Sequence, residues 1–292
     1  KKPHDAVGEY VSHYTEPDDM VLDPFCGSGG TALAALMLGR KAIAVDLSPA
    51  ATFITKNYCA AVDIAALRSA LYHVEKSARS QIEALYETRC DRCGGKALTG
   101  YTVYSQVYKC PRCLEEVALY DCLEIEGHTA NGKPKKISIC PHCHKKGMRE
   151  EIGVDLEKLG SIPVLVSYIC QNGCKPSRAE RAHDDPDPMK RDYFRKYDLG
   201  QIEDIALRDI PFWYPKQRMM DCPEDCERWG LLWRPYLRGI ERTCDFFTKR
   251  NLWALVALLN AINELDDEQI RDVMLFAFTG TLLNVSRLIQ VE

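Results

Sequence analysis

A glycine-rich turn between two apolar segments constrains the fold of this chain more than any other feature. An apolar run ends at Asp23, the turn reads Cys-Gly-Ser-Gly-Gly over positions 26–30, and an Ala- and Leu-rich segment begins at Thr31. This order predicts a strand, a tight loop and a helix, the first half of a Rossmann-like unit. Glycines adopt positive φ and let a ligand approach the backbone, while free N–H groups at the helix start attract a carboxylate or phosphate. The turn therefore predicts a nucleotide-like ligand.

The details of the turn exclude two common nucleotide sites. A phosphate-binding P-loop carries Lys after its last glycine, and this turn has none. A dinucleotide fingerprint needs a glycine where this chain has Ala32. A second apolar segment, 41–45, leads into Asp46. An acid at the end of a second strand accepts hydrogen bonds from both hydroxyls of a ribose that carries no phosphate.

The segment 23–31, Asp-Pro-Phe-Cys-Gly-Ser-Gly-Gly-Thr, resembles motif I of the amino-group DNA methyltransferases, which methylate N6 of adenine or N4 of cytosine. It departs from the family pattern D-P-F-x-G-S-G-T by one inserted glycine. Residues 2–11 resemble motif X, which closes over the methionine part of S-adenosylmethionine, and 45–49 resemble motif II, whose acid holds the ribose. The resemblance covers residues 1 to about 60. It implies a cofactor site made of Lys2, Pro3, His4, Asp23, Phe25, Cys26, Gly27, Ser28, Gly29, Thr31, Asp46 and Leu47.

Fourteen cysteines form a second strong pattern. Eight of them stand in close pairs, as thiolates that converge on a tetrahedral zinc ion do; a disulfide-rich secreted protein is the alternative. The first two pairs have the spacing C-x2-C-x16-C-x2-C of a zinc ribbon, with a strand-like segment, 101–108, between them. Sequence order thus predicts two zinc sites. Their ligands would be Cys90, Cys93, Cys110 and Cys113 for the first ion, and Cys140, Cys143, Cys170 and Cys174 for the second.

The second predicted site is less regular, because three residues separate Cys170 from Cys174. Strand-like runs at 136–139 and 162–169 lead into its two pairs. A nested pairing of the four pairs remains open, and so do other ligands. The rival ligands are His142, His144, Cys222 and Cys226. The remaining cysteines are interpreted as small buried hydrophobes, namely Cys26, Cys59, Cys122 and Cys244.

The Cys-rich segment is also the more basic part of the chain. Residues 89–181 hold 15 Lys and Arg against 11 Asp and Glu, a balance of +4, whereas the rest holds 23 against 31, a balance of −8. Basic residues near the third cysteine pair are expected to contact DNA phosphates. Equally, they would offset the negative charge that four thiolates leave on a zinc ion. These residues are Lys133, Lys135, Lys136, Lys145, Lys146 and Arg149.

Apolar periodicity predicts the remaining elements. A long helix is predicted at 64–87, and two helices that are apolar almost all round, 249–265 and 267–289, are expected to pack on the main sheet. The proline-broken segment 182–188 is predicted to be a linker. An aromatic and Arg-rich stretch, 210–242, is interpreted chiefly as packing, with base stacking as the alternative.

Together these features predict an α/β fold: a Rossmann-like methyltransferase core with an inserted Cys-rich zinc-ribbon β module and C-terminal helices. The predicted domains are 1–88, which binds S-adenosylmethionine; 89–181, the zinc-ribbon insert for target recognition; and 182–292, the aromatic and Arg-rich segment with buried helices packing on the core. The 292 residues, 46% of them hydrophobic, suffice for a sizeable core. Since no apolar run approaches the length of a membrane span, we expect a cytoplasmic protein.

One family motif is missing from the sequence. Amino-methyltransferases carry a tetrapeptide, Asp/Asn/Ser-Pro-Pro-Tyr/Phe, that binds the flipped target base. The nearest segment here, 209–212, reads Asp-Ile-Pro-Phe and lacks the second proline. Catalytic residues are therefore unknown, and the motif order of the resembling class implies that the tetrapeptide follows Glu292. A partner subunit or a missing catalytic half is therefore expected.

The resemblance implies a methyltransferase that uses S-adenosylmethionine and acts on an exocyclic amine of double-stranded DNA, in restriction–modification or phage defence. Two alternatives stay open. One is an RNA or tRNA guanine-N2 methyltransferase, whose motif I is similar, and the other is a non-catalytic, zinc-containing subunit that binds the cofactor.

Overall fold

A computed structural model describes residues 3–128, 134–153, 155–175, 178–218 and 240–287. Its contacts divide the chain into two compact units. The first unit comprises residues 1–82 and 210–292, and the second unit comprises residues 83–209. The division differs from the predicted boundaries after 88 and 181, because residues 182–209 pack with the Cys-rich segment. What each domain binds stays a prediction.

The first unit begins with a short α/β segment followed by a long helix. Its elements are α1 (His4–Tyr14), β1 (Met20–Asp23), α2 (Gly30–Met37), β2 (Lys41–Ala44), α3 (Pro49–Cys59) and α4 (Ile64–Tyr86). The end of α4, residues 83–86, belongs to the second unit. β1 and β2 form a parallel pair in which Leu22 lies opposite Ile43. The predicted strand, loop, helix and second strand are confirmed, and so is the long helix. The described part of the unit contains this one parallel pair, so the larger Rossmann-like sheet stays a prediction.

The second unit is built from two antiparallel sheets. Its strands are β3 (Glu87–Arg89), β4 (Lys96–Lys109), β5 (Glu116–Ala118), β6 (Leu123–His128), β7 (Pro134–Ile139), β8 (Glu151–Ile152), β9 (Lys158–Cys170) and β10 (Arg178–Ala182). The larger sheet has the order β10-β9-β4-β3, with β5 also paired to β4, and the smaller has the order β6-β7-β8. The strands predicted at 101–108, 136–139 and 162–169 lie within β4, β7 and β9, which confirms them.

Short helices complete the second unit. They are α5 (Pro141–His144), α6 (Pro188–Tyr193), a π-helical turn (Phe194–Leu199) and α7 (Gly200–Leu207). The prediction of a linker at 182–188 is wrong. Ala182 is a buried residue of β10, the His183 N–H donates to the Val164 carbonyl at 3.0 Å, and the Asp187 carboxylate caps α6 by accepting from the Met189 N–H at 2.9 Å. The polar, proline-rich sequence therefore forms a turn inside the unit.

The chain returns to the first unit with two helices, α8 (Lys249–Asn263) and α9 (Glu268–Leu282). Both are capped by a side chain, Thr248 for α8 and Asp267 for α9. Some of their buried residues join a cluster with α4, and their packing on the main sheet stays a prediction. This cluster contains Ala70, Val74, Ala78, Ala261, Ile262, Ile270 and Met274. Small alanines on α4 allow the helices to approach closely. In the described ranges no helix has the length and apolarity to cross a membrane.

Candidate cofactor site and metal centres

The glycine loop between β1 and α2 has the backbone that its sequence predicts. Gly29 immediately precedes α2 with φ of 79°, and a Cβ there would lie 2.9 Å from Thr55 Oγ1 and 3.1 Å from Thr55 Cα. Gly27 also has positive φ. The glycine inserted relative to the family pattern, Gly30, is the first residue of α2, with open space around its Cα. Left-handed backbone and a close neighbour therefore require glycine at position 29 but not at position 30.

Asp46 is fixed against the loop by backbone hydrogen bonds. Its Oδ2 accepts from the Gly27 N–H at 2.9 Å, and its Oδ1 accepts from the Ser48 N–H at 2.9 Å. The Ser48 N–H, followed by the Gly27 N–H, lowers the pKa of the Asp46 carboxyl. The carboxylate is therefore charged at neutral pH, and each oxygen retains a lone pair that can accept from a ribose hydroxyl.

Two large apolar side chains at the glycine loop, those of Phe25 and Leu47, are exposed to solvent. Phe25 is 85% exposed and follows β1, while Leu47 is fully exposed and follows β2. Ligands of parallel α/β sheets bind at the carboxyl ends of the strands, and both residues lie there. Apolar groups at such an edge offer surface for the flat face of an adenine ring.

The other predicted cofactor residues have varied surroundings. Cys26 is buried, and Thr55 Oγ1 lies 3.4 Å from its Sγ. The Asp23 carboxylate accepts from the Phe25 N–H at 3.1 Å, Ser28 lies in the loop, and Thr31 is in the first turn of α2. The exposed Pro3 and His4 begin α1, and Lys2 lies outside the described residues. Sequence reasoning missed Thr55, because no local pattern on α3 marks its contact with the loop.

The four cysteine pairs form two clusters, and their pairing is nested. The first cluster consists of Cys90, Cys93, Cys170 and Cys174, and the second cluster consists of Cys110, Cys113, Cys140 and Cys143. The sequential pairing predicted from the zinc-ribbon spacing is therefore wrong, and the nested alternative is correct. In the described part of the chain neither cluster includes a histidine, so His142 and His144 are not ligands; Cys222 and Cys226 fall outside that part.

Strand length explains the nested pairing. β4 has 14 residues and spans about 45 Å, so it holds the first and second cysteine pairs at its opposite ends. The antiparallel partner β9 places Cys170 opposite Ala97, next to the first pair. The third pair follows β7 and meets the second pair, in a core with Tyr108 and Val117. Antiparallel strand pairing therefore brings the first cysteine pair next to the fourth, and the second cysteine pair next to the third.

The geometry of both clusters fits zinc. Within each cluster all four sulfur atoms lie within 4.8 Å of one another. Measured Sγ–Sγ distances are 3.6 Å for Cys93–Cys170, 3.8 Å for Cys110–Cys143 and 3.7 Å for Cys113–Cys140. A tetrahedron with Zn–S bonds of about 2.3 Å has edges of roughly 3.8 Å. The sulfur atoms therefore have the separations that one zinc ion requires.

Backbone N–H groups around the clusters favour thiolates. The Gly95 N–H donates to Cys93 Sγ and is the largest cause that lowers the pKa of Cys93, to about 6. In the second cluster burial opposes ionisation of Cys110, but the Cys113 and Arg112 N–H groups outweigh it and lower its pKa to about 7. Since zinc binds the thiolate form, these donors favour metal binding at Cys93 and Cys110. The other thiols differ: a hydrogen bond with Cys93 raises the pKa of Cys174 to about 12, and burial raises the pKa of Cys143 to about 12.

Of the four cysteines interpreted as small buried hydrophobes, Cys26 is buried, whereas Cys59, Cys122 and Cys244 are only partly buried. Burial nevertheless raises the pKa of Cys122, to about 12. The Cys122 thiol is therefore neutral.

The described basic residues near the third cysteine pair are exposed but do not share one face. Lys135 and Lys136 are neighbours on β7, so their side chains point to opposite faces of the sheet. Lys136 Nζ already pairs with Glu124 at 2.6 Å. The other three, Lys145, Lys146 and Arg149, follow α5 in exposed turns. Lys133 lies outside the described residues. The predicted cluster is thus divided, and the part beyond α5 is the better candidate for phosphate contacts.

Sequence reasoning missed a third group of side chains that could hold a metal ion. One ligand atom each of Asp121, His183 and Asp184 lies within 4.8 Å of the others. The signal was present in the sequence His-Asp-Asp-Pro at 183–186, but its prolines indicated a linker.

Comparison with known proteins finds similarity to methylases over part of the chain. Residues 1–57 match a family model described as DNA methylase. YubD of Escherichia coli (strain K12), a candidate methylase, is 43% identical over 47 residues, which are 16% of this chain and 21% of that protein. The type II methyltransferase M1.MboII of Moraxella bovis is 43% identical over 47 residues, 16% of this chain and 18% of its own length. No solved structure matches the chain.

The family model covers the glycine loop and Asp46, and together with the two relatives it supports a DNA methyltransferase at the level of the family. The aligned region spans about a fifth of the length of these relatives. The family covers both adenine-N6 and cytosine-N4 enzymes.

Proposed function

We propose that this chain binds S-adenosylmethionine through its first unit and double-stranded DNA through its second, as part of an enzyme that methylates an exocyclic amine of adenine or cytosine. The observation that carries this proposal is the Asp46 carboxylate, held at the edge of the glycine loop with acceptor capacity left for a ribose. The match of residues 1–57 to DNA methylases supports it and favours DNA over RNA as substrate. A role in restriction–modification or phage defence, and a cytoplasmic location, belong to the same proposal.

The residues of the loop fit the cofactor. Asp46 would bind the ribose hydroxyls, Phe25 and Leu47 would cover the adenine, and the N–H groups that open α2 would attract the methionine carboxylate. The bound cofactor supplies the methyl group of a sulfonium to the target amine. The contribution of this chain is to orient the cofactor, and the residues that hold the target base stay unknown.

Replacing Asp46 by alanine is expected to weaken S-adenosylmethionine binding at least tenfold. The change removes one or two charge-assisted hydrogen bonds, each worth roughly 1.5–3 kcal/mol. Isothermal titration calorimetry on the purified chain measures the affinity. Asp46→Asn removes the charge but keeps one acceptor for the Gly27 and Ser48 N–H groups. Comparing it with Asp46→Ala therefore separates the effect of the lost charge from the effect of a distorted loop. The exposed Asp266→Ala, in the turn before α9, is the matched control and should bind normally. Equal affinity for wild type and Asp46→Ala would remove the ribose assignment.

Removing the basic side chains beyond α5 is expected to flatten the salt dependence of DNA binding. The slope of log affinity against log salt becomes shallower by about 0.9 for every phosphate that the protein no longer neutralises. The triple variant Lys145→Ala/Lys146→Ala/Arg149→Ala tests this by fluorescence anisotropy with a labelled duplex at several salt concentrations. Lys136→Ala is the control, because Glu124 already pairs with Lys136. An unchanged slope in the triple variant would mean that these residues only offset thiolate charge.

A further inference from the structure

We propose that Asp121, His183 and Asp184 form a third metal site, which binds a divalent first-row cation such as zinc through nitrogen and oxygen ligands. The site is separate from both cysteine clusters and shares no ligand with them. Two distant parts of the second unit build it. Asp121 ends the short 3-10 helix Leu119–Asp121 after β5, and His183 and Asp184 follow β10.

The spacing of the ligand atoms is that of a metal site. His183 Nε2 and Asp121 Oδ1 lie 3.3 Å apart and form an ion pair when the imidazole is protonated. Within the described residues neither atom makes a hydrogen bond, and both atoms are shielded from solvent, although the two side chains are 23% and 32% exposed. Their contact leaves hydrogen-bonding capacity unused, which is unfavourable for shielded atoms. A tetrahedral zinc ion with bonds of about 2.0–2.1 Å separates neighbouring ligands by roughly 3.4 Å. A cation between the two atoms would therefore satisfy both at the separation observed.

The imidazole of His183 is held in place by its surroundings. Its ring makes edge contacts with Tyr120 at 5.9 Å and with Phe194 at 6.3 Å between ring centroids, and its backbone N–H is bonded to Val164. Fixed ligands bind metal more tightly, because less side-chain freedom is lost on binding.

Negative charge around the site is in excess. The group brings two carboxylates, of Asp121 and Asp184, to one imidazole, that of His183. A divalent cation would offset this excess of negative charge. Three protein ligands leave a fourth position for water or a substrate oxygen.

Metal counting tests the proposal. The protein is saturated with zinc chloride, and unbound metal is removed by gel filtration. The number of zinc ions per chain is then measured by inductively coupled plasma mass spectrometry. We expect His183→Ala and Asp184→Asn each to hold one ion fewer than the wild type, and His128→Ala, which alters an exposed histidine of β6, to hold the same number. A cobalt(II) titration separates the sites, because only thiolate ligands give sulfur-to-metal charge-transfer absorption. We expect the third equivalent of cobalt(II) to bind without increasing this charge-transfer absorption.

Two outcomes would overturn the proposal. One is an equal metal content in the wild type and in both variants. The other is a cobalt titration that ends when the thiolate absorption is complete. Asp184 is exposed, so Asp184→Asn is expected to leave the fold intact, and its thermal melt in the presence of a chelator should match the wild type. A simple His183–Asp121 ion pair, by contrast, predicts no loss of metal in any variant.

Discussion

The double variant Cys90→Ser/Cys170→Ser is expected to lose one zinc ion per chain and to keep the ion of the second cluster. Both replaced thiols belong to the first cluster, although 80 positions separate them in the sequence. Two remaining thiols cannot complete a tetrahedron, so the roughly 10–16 kcal/mol that such a zinc ion contributes is lost. Both residues also belong to a small buried core with Ala97 and Tyr168. Hydrogen exchange should therefore show that the adjoining end of β4 and β9 opens while the first unit stays protected.

The double variant Cys90→Ser/Cys110→Ser is the matched control for the pairing. It removes the same number of thiols but takes one from each cluster, so both ions should become removable by a mild chelator. A sequential arrangement, with the first two cysteine pairs on one ion, predicts the opposite results for the two variants. If Cys90→Ser/Cys170→Ser releases two ions and Cys90→Ser/Cys110→Ser releases one, the nested pairing is wrong.

The glycine loop could be predicted from the sequence because its determinants are local. A backbone that needs positive φ selects glycine, so the conformation at Gly29 follows from the sequence. The position of Asp46 beside the loop follows from its place after the second strand, and its binding of a ribose stays a proposal. Thr55 could not be predicted. It reaches the loop from α3, and its contact depends on how that helix packs.

The cysteine pairing shows which part of a metal site the sequence does not determine. Close spacing identified all eight clustered thiols, because two thiolates in one turn already converge. The antiparallel register of β4 and β9 decides which cysteine pairs come together. The spacing of cysteines along the sequence does not predict that register. For the same reason His183 and Asp184 were assigned to a linker: their partner Asp121 is distant in sequence, and the neighbouring prolines indicated a break.

Replacing Arg181 by methionine is expected to destabilise the second unit by roughly 3–5 kcal/mol, as removal of one partner from a buried ion pair does. The Arg181 side chain is fully buried, and its guanidinium donates to both oxygens of Asp198, at 2.5 and 2.9 Å. It also donates to the Thr88 hydroxyl and the Arg89 carbonyl, each at 2.6 Å, and stacks 4.4 Å above the Tyr168 ring. Methionine fills similar volume but leaves the Asp198 carboxylate buried without its counter-ion. Urea unfolding followed by circular dichroism measures the loss.

A second substitution separates the ion pair from packing. In Arg181→Met/Asp198→Leu both charges are gone, and most of the lost stability should return, because an apolar pair replaces a buried ion pair at little cost. Arg208→Met removes an exposed arginine that pairs with Asp204 one helical turn away, and it should change stability by about 0–1 kcal/mol. Two results would show that the ion pair does not stabilise the contact of β10 with β3 and the π-helical turn. One is a loss of stability in Arg181→Met as small as that in Arg208→Met. The other is a double variant that is less stable than Arg181→Met. With the expected results, the residues after β10 are an integral part of the second unit, because Arg181 of β10 is held by Asp198, seventeen residues further along the chain.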